Sequence, residues 1–246
     1  MGERVIFTVG HSNMGAAEFV ALVQRHAIGA VADVRSHPYS RYLPHFNGPA
    51  LKATLRGAGI GYVFLGRELG ARPDDPACYE GGRVSFARLA ATPLFAEGLA
   101  RLHKGMAIWR IAIMCAEKDP LTCHRTILVC RHLRAPDLAI GHILPGGELE
   151  AHRASEQRLV RQHGLGQTSF LAPSSPADLL EAAYDRQAAR IAYSRDEGGD
   201  DERAVVELPG RWCSACSAKN RSTAPRSMST DRPTLTVGTT PLRSRS

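Results

Sequence analysis

The stretch RIAIMCAEKDPLTCHRTILVCRHL, residues 110–133, decides the fold that we predict for this chain. It opens with the apolar run 111–114, which has the length and composition of a buried strand. A polar segment follows, and Pro120 ends regular structure there. Thr122 is then predicted to cap an amphipathic helix whose apolar stripe begins at Ile127. Strand-to-helix turns of this kind bind ligands in open α/β sheets.

The charge of Arg125 is unusual at the start of this predicted helix. A cation in the first helical turn is unfavourable by roughly 0.3–1 kcal/mol when exposed, because it meets the positive end of the helix dipole. A bound phosphate or carboxylate would offset that cost. A structural ion pair with Glu117, Asp119 or Asp33 would do the same, and the sequence leaves both interpretations open.

Four further apolar runs resemble buried strands and alternate with segments of helical spacing; they cover residues 5–9, 30–34, 61–65 and 138–144. This alternation predicts an α/β fold: a three-layer, mostly parallel open sheet of about five strands with helices on both faces. The strand order stays open between the two common doubly wound arrangements. A helix is predicted from about residue 148 to 162, and residues 66–84 show no periodicity.

The net charge of +7 belongs to one end of the chain. Residues 203–246 carry eight Lys and Arg against two acidic residues, a net of +6, which leaves +1 for residues 1–202. We therefore predict an α/β domain over residues 1–194 and a low-complexity, disordered basic tail over 195–246. Nucleic acid is a partner to consider through this tail, whereas the folded part gives no global charge argument for it.

No feature of the sequence indicates a membrane or a secreted protein. No apolar run approaches the roughly 20 residues that a spanning helix needs, and the N-terminus resembles a strand rather than a signal peptide. The six cysteines have irregular spacing, and Cys213-Ser-Ala-Cys216 has no second ligand pair beside it. We expect a cytoplasmic protein; neither a cofactor nor an oligomeric state is predicted.

Several motifs resemble the DUF488 family of bacterial and archaeal proteins, which is named for having no assigned function. They are TVGHSN (8–13), VADVRSHPYSR (31–41), FN (46–47), GIGYVFLGRELGAR (59–72), MCAEKDPLTCHR (114–125) and AYDRQAARIAY (183–193). The resemblance covers roughly residues 5–194. It implies an α/β domain with its characteristic residues at the carboxyl ends of strands, and it implies no substrate.

All the motif residues follow predicted strands, and the carboxyl ends of parallel strands share one edge of a sheet. These side chains are therefore expected to converge on one crevice. The predicted catalytic residues are Cys123, His124, Glu117, Asp33 and His11. The predicted substrate-binding residues are Arg125, Arg35, Ser12, Ser40, Glu68, Arg72 and Cys115.

Cys123 allows a covalent mechanism at this edge. A thiol at a helix N-terminus beside His124 and Arg125 should have a lowered pKa, so it could act as a nucleophile with a histidine as base. The C-x5-R phosphate loop is missing, because the sixth residue after Cys115 is Leu121 and after Cys123 it is Val129. The alternative for Cys123 is a small buried residue that packs behind the loop.

A zinc site is a weaker interpretation of the same residues. Cys115, Cys123, His124 and His11 are suitable ligands, but C-x7-C is not a standard spacing and adjacent Cys-His ligands look geometrically awkward. No metal is therefore predicted. The carboxylates could act as general acid or base, or could simply form ion pairs with arginines.

The leading hypothesis is an α/β protein whose strand-end crevice binds a small anionic, phosphorylated ligand such as a nucleotide, as an enzyme of hydrolase or transferase type. Two alternatives remain: a nucleic-acid binding or processing protein that uses its basic tail, and a ligand sensor without catalysis.

Overall fold

The computed structural model describes residues 4–165 and 175–195, which contain eight strands in two sheets. The strands are β1 (Arg4–Gly10), β2 (Ala30–Asp33), β3 (Gly61–Phe64), β4 (Tyr79–Glu80), β5 (Arg83–Val84), β6 (Ile111–Cys115), β7 (Leu138–Ile143) and β8 (Leu149–Ala151). The main sheet has the order β3-β2-β6-β1-β7-β8. Its first five strands are parallel and β8 is antiparallel, while β4 and β5 form a separate hairpin.

Helices connect most of these strands. They are α1 (Ala16–Arg25), α2 (Gly48–Gly57), α3 (Gly66–Leu69), α4 (Phe86–Ala90), α5 (Pro93–Met106), α6 (Arg131–Leu133), α7 (His152–Gln162) and α8 (Pro176–Ile191). A π-helical segment, Arg125–Cys130, runs directly into α6. Short 3₁₀ turns lie at Pro44–Phe46, Pro76–Cys78 and Pro120–Thr122.

Strand β6 lies at the centre of the main sheet, and all five of its residues are buried. One face of the sheet packs against α1 and α2, with Phe19 and Leu55 in the same core cluster as Met114. The π-helical segment contacts β6, and α5 and α7 contact β1 and β7. Because helices cover a mostly parallel sheet whose strands are apolar on both faces, the structure has the predicted α/β class.

The five predicted parallel strands are confirmed, while the strand order and one helix boundary differ from expectation. Counted along the chain, the parallel strands have the order 3-2-4-1-5, which is neither of the two common arrangements. Residues 149–151, predicted as the start of a helix, form strand β8 and pair with β7. The helix begins only at His152. Residues 66–84 hold α3 and the β4–β5 hairpin instead of an irregular loop.

The helix cap of the central motif lies one residue later than predicted. Cys123 has an extended backbone (φ −129°, ψ 139°), and its carbonyl oxygen accepts hydrogen bonds from the amides of Thr126 and Ile127, both at 3.1 Å. Cys123 therefore occupies the position of the N-terminal cap. Thr122 belongs to the preceding 3₁₀ turn, where its hydroxyl donates to the carbonyl oxygen of Asp119 at 3.0 Å.

The predicted basic tail covers residues 195–246. Of these, residues 196–246 lie outside the described part of the chain. The disorder of the tail and its partnership with nucleic acid therefore stay predictions. Among the described residues, no helix is both long enough and apolar enough to span a membrane.

Candidate functional site

At the carboxyl edge of the main sheet, the segment that follows β6 covers a different face of the sheet from the helices that follow its neighbours β1 and β2. Strands β1 and β2 flank β6, and they lead to α1 and α2, which share one core cluster. Strand β6 leads instead to the π-helical segment, whose buried apolar residues lie outside that cluster. Ligands of open α/β proteins bind in the crevice at such a point.

Four side chains with metal-ligating or acid–base chemistry meet there. One ligand atom from each of Cys115, Glu117, Cys123 and His124 lies within 4.8 Å of all the others. The two thiols donate to Glu117 Oε2 at 2.9 and 3.0 Å. The Sγ atoms of Cys115 and Cys123 lie 3.6 and 3.9 Å from His124 Nδ1. We call these four residues the strand-end cluster.

The local backbone explains why residues so close in sequence converge. Cys115 is the last residue of β6, and the polar segment after it turns back over the strand end. Pro120 then starts a 3₁₀ turn that returns the chain to the same place. The extended conformation of Cys123 and the helical conformation of His124 (φ −60°, ψ −25°) bring both adjacent side chains to one point. Adjacency of Cys and His, which weakened the zinc interpretation, is therefore no obstacle here.

The ring of His124 is oriented by the neighbouring strand. Its Nε2 lies 3.0 Å from the carbonyl oxygen of Val34, just beyond β2. A carbonyl can only accept, so Nε2 carries the proton, and Nδ1 presents a lone pair to the thiols. This arrangement is the one that metal-binding histidines use, with the outer nitrogen held by a carbonyl.

The two thiols differ in acidity. Burial opposes ionisation of Cys123, but the hydrogen bond from Cys115 and the charge of Arg125 outweigh it and lower the pKa of Cys123 well below the ordinary value. Burial and the hydrogen bond to Cys123 raise the pKa of Cys115 well above it. The cluster thus favours one thiolate, at Cys123, when no ion is bound.

Glu117 and His124 share in this proton distribution. Burial of the carboxylate and the charge of Cys123 raise the pKa of Glu117, although the residue as a whole is exposed. Burial lowers the pKa of His124, but the hydrogen bond and the charge of Cys123 overcome that effect and raise it. The proton distribution in the cluster therefore differs from that of the same groups in water: ionisation is favoured at Cys123 and His124 and disfavoured at Cys115 and Glu117.

Arg125 fixes the loop around the cluster. Its guanidinium donates to the carbonyl oxygens of Glu117, at 2.7 Å, and Lys118, at 3.3 Å, and its amide donates to Cys123 Sγ at 3.4 Å. The residue is fully buried, and its Nε has no partner among the described residues. Among the described residues, its two terminal nitrogens donate to carbonyl oxygens and not to a carboxylate.

A second group of predicted residues lies at the ends of β1 and β2. Arg35 is buried and donates twice to Asp33, from Nε at 2.9 Å and from Nη2 at 2.6 Å. Its Nη1 lies 3.2 Å from His11 Nε2, and the His11 ring stacks on Phe46 with centroids 4.1 Å apart. Burial and the charge of Arg35 lower the pKa of His11 to about 4, so this histidine is neutral.

The remaining predicted residues lie in loops around this edge, except Glu68, which lies in α3. Ser12 has a positive φ of 47°, and its amide donates to the carbonyl oxygen of Ala116 at 2.8 Å. Ser40 Oγ accepts from the amides of Tyr42 and Leu43 and so holds its own loop. Glu68 forms an ion pair with Arg101, and the Arg72 guanidinium lies 4.5 Å from the centre of the Tyr193 ring. Their substrate-binding roles stay predictions.

Three partners that shape the site were not among the predicted catalytic or substrate-binding residues. They are the Val34 carbonyl that orients His124, the Phe46 ring that covers His11, and the Tyr62 hydroxyl that donates to Asp33 at 3.0 Å. A backbone carbonyl leaves no signature in a sequence. Phe46 and Tyr62 do lie inside family-like motifs, so their presence there was the available signal.

The fold and this geometry define a class: an open, mostly parallel α/β protein with a Cys–Glu–Cys–His cluster at the carboxyl edge of its sheet. The family model described as "Domain of unknown function DUF488" matches residues 15–131, which include all four cluster residues. This match supports the resemblance to the DUF488 family that the motifs predict. No curated protein and no solved structure matches the chain.

Proposed function

We propose that the strand-end cluster is a transition-metal centre, that zinc is its ion, and that the centre belongs to an enzyme of hydrolase or transferase type. The observation that carries the proposal is the convergence of two thiols, an imidazole and a carboxylate on one point at the ligand-binding edge.

The donor set suits zinc. Thiolate, imidazole and carboxylate are the three side-chain ligands that zinc takes, and a tetrahedral site takes four of them. Sulfur ligands disfavour magnesium and calcium, which take oxygen. Iron accepts a similar set, so identification of the ion is part of the test.

The spacing also suits a tetrahedral ion. Bond lengths of about 2.3 Å to sulfur and about 2.0–2.1 Å to nitrogen or oxygen place tetrahedral ligand atoms about 3.3–3.8 Å apart, with sulfur–nitrogen and sulfur–oxygen pairs at about 3.5–3.6 Å. The two sulfur–nitrogen separations are 3.6 and 3.9 Å. The two sulfur–oxygen separations, 2.9 and 3.0 Å, are hydrogen-bond lengths, and a short outward movement of Glu117 would open them.

The charges balance when an ion is present. Two thiolates and the carboxylate of Glu117 carry three negative charges, which the two positive charges of Zn²⁺ and the one of buried Arg125 neutralise. Without an ion, the buried thiols must stay at least partly protonated, because burial of uncompensated charge is costly. Burial of this donor set is thus easiest to explain by a bound cation.

At this centre, the metal ion replaces the arginines as the group that would bind a small anionic ligand. Arg125 and Arg35 already donate to protein oxygens, so neither is a ready anion site. A bound zinc ion supplies Lewis-acid chemistry and lowers the pKa of a coordinated water. The substrate we propose is a small anion that uses this positive centre instead of a guanidinium.

Zinc binding by the full chain tests the proposal. The protein is stripped with a chelator, and its zinc stoichiometry and melting temperature are measured as zinc is added. We expect one zinc per chain at the cluster and, at a hundredfold excess over Kd, a gain of about 2.7 kcal/mol, or roughly 5–10 °C. Cys123→Ser and Cys115→Ser should lose both effects.

Two control variants locate the ion. Cys78→Ser removes a buried thiol outside the cluster and should keep the shift. The double variant C213S/C216S removes the C-x-x-C pair, a potential second zinc ligand set, and should also keep it. If the wild-type protein binds no metal, or if Cys123→Ser responds to zinc as the wild type does, the metal centre is wrong.

A further inference from the structure

We propose that Glu117 is the exchangeable ligand of this centre, and that a small anionic oxygen ligand, a carboxylate or a phosphate, replaces it on the metal. This inference rests on the proposed metal centre and goes beyond it, because it assigns an open coordination position. An exchangeable position separates catalytic zinc sites from closed structural ones.

The four ligands differ in their access to solvent. Cys115 is 2% exposed and Cys123 is 1% exposed, whereas Glu117 is an exposed residue. His124 is partly buried, with its ring against the Val34 carbonyl. Glu117 is the cluster residue that is exposed as a whole, although its carboxylate is largely buried against the two thiols, so a molecule from solution would approach the ion past this side chain.

The ligands also differ in how firmly they are held. Cys115 ends the central strand, where its neighbours Gly10 and Met114 are paired in the sheet. Cys123 caps the helical segment, and its sulfur accepts from the Arg125 amide. Among the described residues, the Glu117 carboxylate has no donors except the two thiols, and these become metal ligands when the ion binds.

Arg125 holds the backbone of Glu117 in place but does not hold its side chain. The guanidinium holds the Glu117 carbonyl oxygen at 2.7 Å, so the loop stays in place when the carboxylate rotates away. Rotation then requires only side-chain torsions, which change readily in exposed residues. The structure thus gives one ligand freedom to leave while three keep the ion.

The surroundings of Glu117 suit an incoming anion. Lys118 is exposed and directly follows it, and Ser12 is attached to the same segment through its bond to Ala116. Ser12 has a positive φ, a strained conformation for a residue other than glycine that is common at functional sites. A lysine and a serine hydroxyl can both donate to oxyanions.

Cobalt(II) reports both metal binding and changes of ligand, so we would load the full chain with Co²⁺ and follow its visible spectrum. The variants are Glu117→Ala, Cys123→Ser and, as a matched exposed glutamate, Glu97→Gln. Glu117→Ala should weaken Co²⁺ binding by no more than about tenfold, whereas Cys123→Ser should weaken it more than about a hundredfold. Acetate and inorganic phosphate are then titrated as probe anions.

The inference is supported if the wild-type spectrum changes saturably with either anion and Glu117→Ala saturates at a concentration at least about tenfold lower. Glu97→Gln should titrate like the wild type. A wild-type spectrum that does not respond to either anion would overturn the inference. Saturation at the same anion concentration in Glu117→Ala and the wild type would do so as well. So would a loss of Co²⁺ binding in Glu117→Ala as complete as in Cys123→Ser. Absence of Co²⁺ binding by the wild type instead contradicts the metal centre itself.

Discussion

At the scale of single residues, Cys123 and His124 show how two adjacent side chains reach one point. A one-residue change of backbone conformation, from extended to helical, turns both inward. The sequence predicted Cys123 and His124 as site residues. It did not predict the change of backbone conformation between them, since it placed the helix cap at Thr122. The Val34 carbonyl that fixes the ring lies 90 residues away in the chain.

Gly10 is the second decisive residue at this scale. A Cβ there would overlap the carbonyl oxygen of Glu117, and it would lie 3.2 Å from Arg125 Nη1. We predict that Gly10→Ala displaces the loop that carries Glu117, lowers the free energy of unfolding by about 1–3 kcal/mol, and weakens zinc binding. Chemical denaturation and zinc titration measure the two effects.

Gly57→Ala is the matched control for that substitution. Gly57 ends α2 in open space, with no atom within 4 Å of an added Cβ. Because alanine favours the helix, this variant should be neutral or stabilised by up to about 1 kcal/mol. Unchanged zinc affinity in Gly10→Ala would show that the close approach of β1 to the loop does not shape the cluster.

At the scale of elements, the end of β2 is fixed by a buried ion pair. Asp33 accepts from Arg35 and from Tyr62 of β3, and Arg35 also donates to the Phe46 carbonyl oxygen at 2.8 Å. Removal of one partner from a buried pair leaves an uncompensated charge. We predict that Asp33→Ala lowers the free energy of unfolding by about 3–5 kcal/mol.

The double variant D33A/R35M separates the ion pair from simple packing. It removes the stranded charge as well, so it should be more stable than Asp33→Ala alone. Urea denaturation of the wild type, both single variants and the double variant gives the coupling energy. Strict additivity of the two substitutions would mean that the pair is not a unit.

A chain of buried polar groups links β1, β7, α7 and α8. Thr8 Oγ1 lies 2.8 Å from His142 Nδ1, His142 Nε2 lies 3.0 Å from His152 Nδ1, and His152 Nε2 lies 3.1 Å from the Tyr184 hydroxyl. The Tyr184 hydroxyl donates to Glu156 at 3.0 Å. Glu156 can only accept, so every proton in the chain points toward it, and both histidines are neutral.

These histidines make stability depend on pH. Burial and the charge of His152 lower the pKa of His142 well below its ordinary value, and burial lowers that of His152 despite Glu156. The unfolded imidazoles bind protons first, near pH 6.5, so unfolding takes up protons below that pH. Stability is full above about pH 6.5 and should fall by up to about 1.4 kcal/mol per pH unit for each histidine.

Denaturation between pH 7.5 and 5 measures this slope. Other charged groups that act on the two rings are Arg125, Arg158, Asp119, Arg134 and Glu150. His142→Gln should flatten the slope, whereas His103→Gln, at an exposed position, should leave it unchanged. An equal slope in His142→Gln and the wild type would contradict the neutral, buried pair.

Local patterns predicted most elements but not all. Apolar runs gave the five parallel strands, because burial on both faces requires them. Strand β8 has only three residues and directly precedes a helix, so its pattern merges with that of α7. The π-helical turn at Arg125–Cys130 differs from an α-helix only in hydrogen-bond partners, which the sequence does not encode in a visible period.

At the scale of the whole molecule, strand order brings the site together. The insertion of β6 between β1 and β2 places Cys115 beside Gly10 and His124 beside Val34. Sequence patterns set which segments are strands, while their order depends on contacts between distant segments. The gathering of two cysteines, a glutamate and a histidine at this turn was therefore predictable, but the presence of Glu117 instead of His11 beside Cys115, Cys123 and His124 was not.

X-ray absorption at the zinc edge of the zinc-loaded full chain, with Cys213 and Cys216 replaced by serine, tests the central claim most directly. The account predicts two sulfur neighbours at about 2.3 Å and two nitrogen or oxygen neighbours at about 2.0–2.1 Å. Cys123→Ser should retain no zinc under the same loading conditions. A shell of nitrogen and oxygen alone, or a protein that retains no zinc, would contradict a metal centre built from Cys115, Glu117, Cys123 and His124.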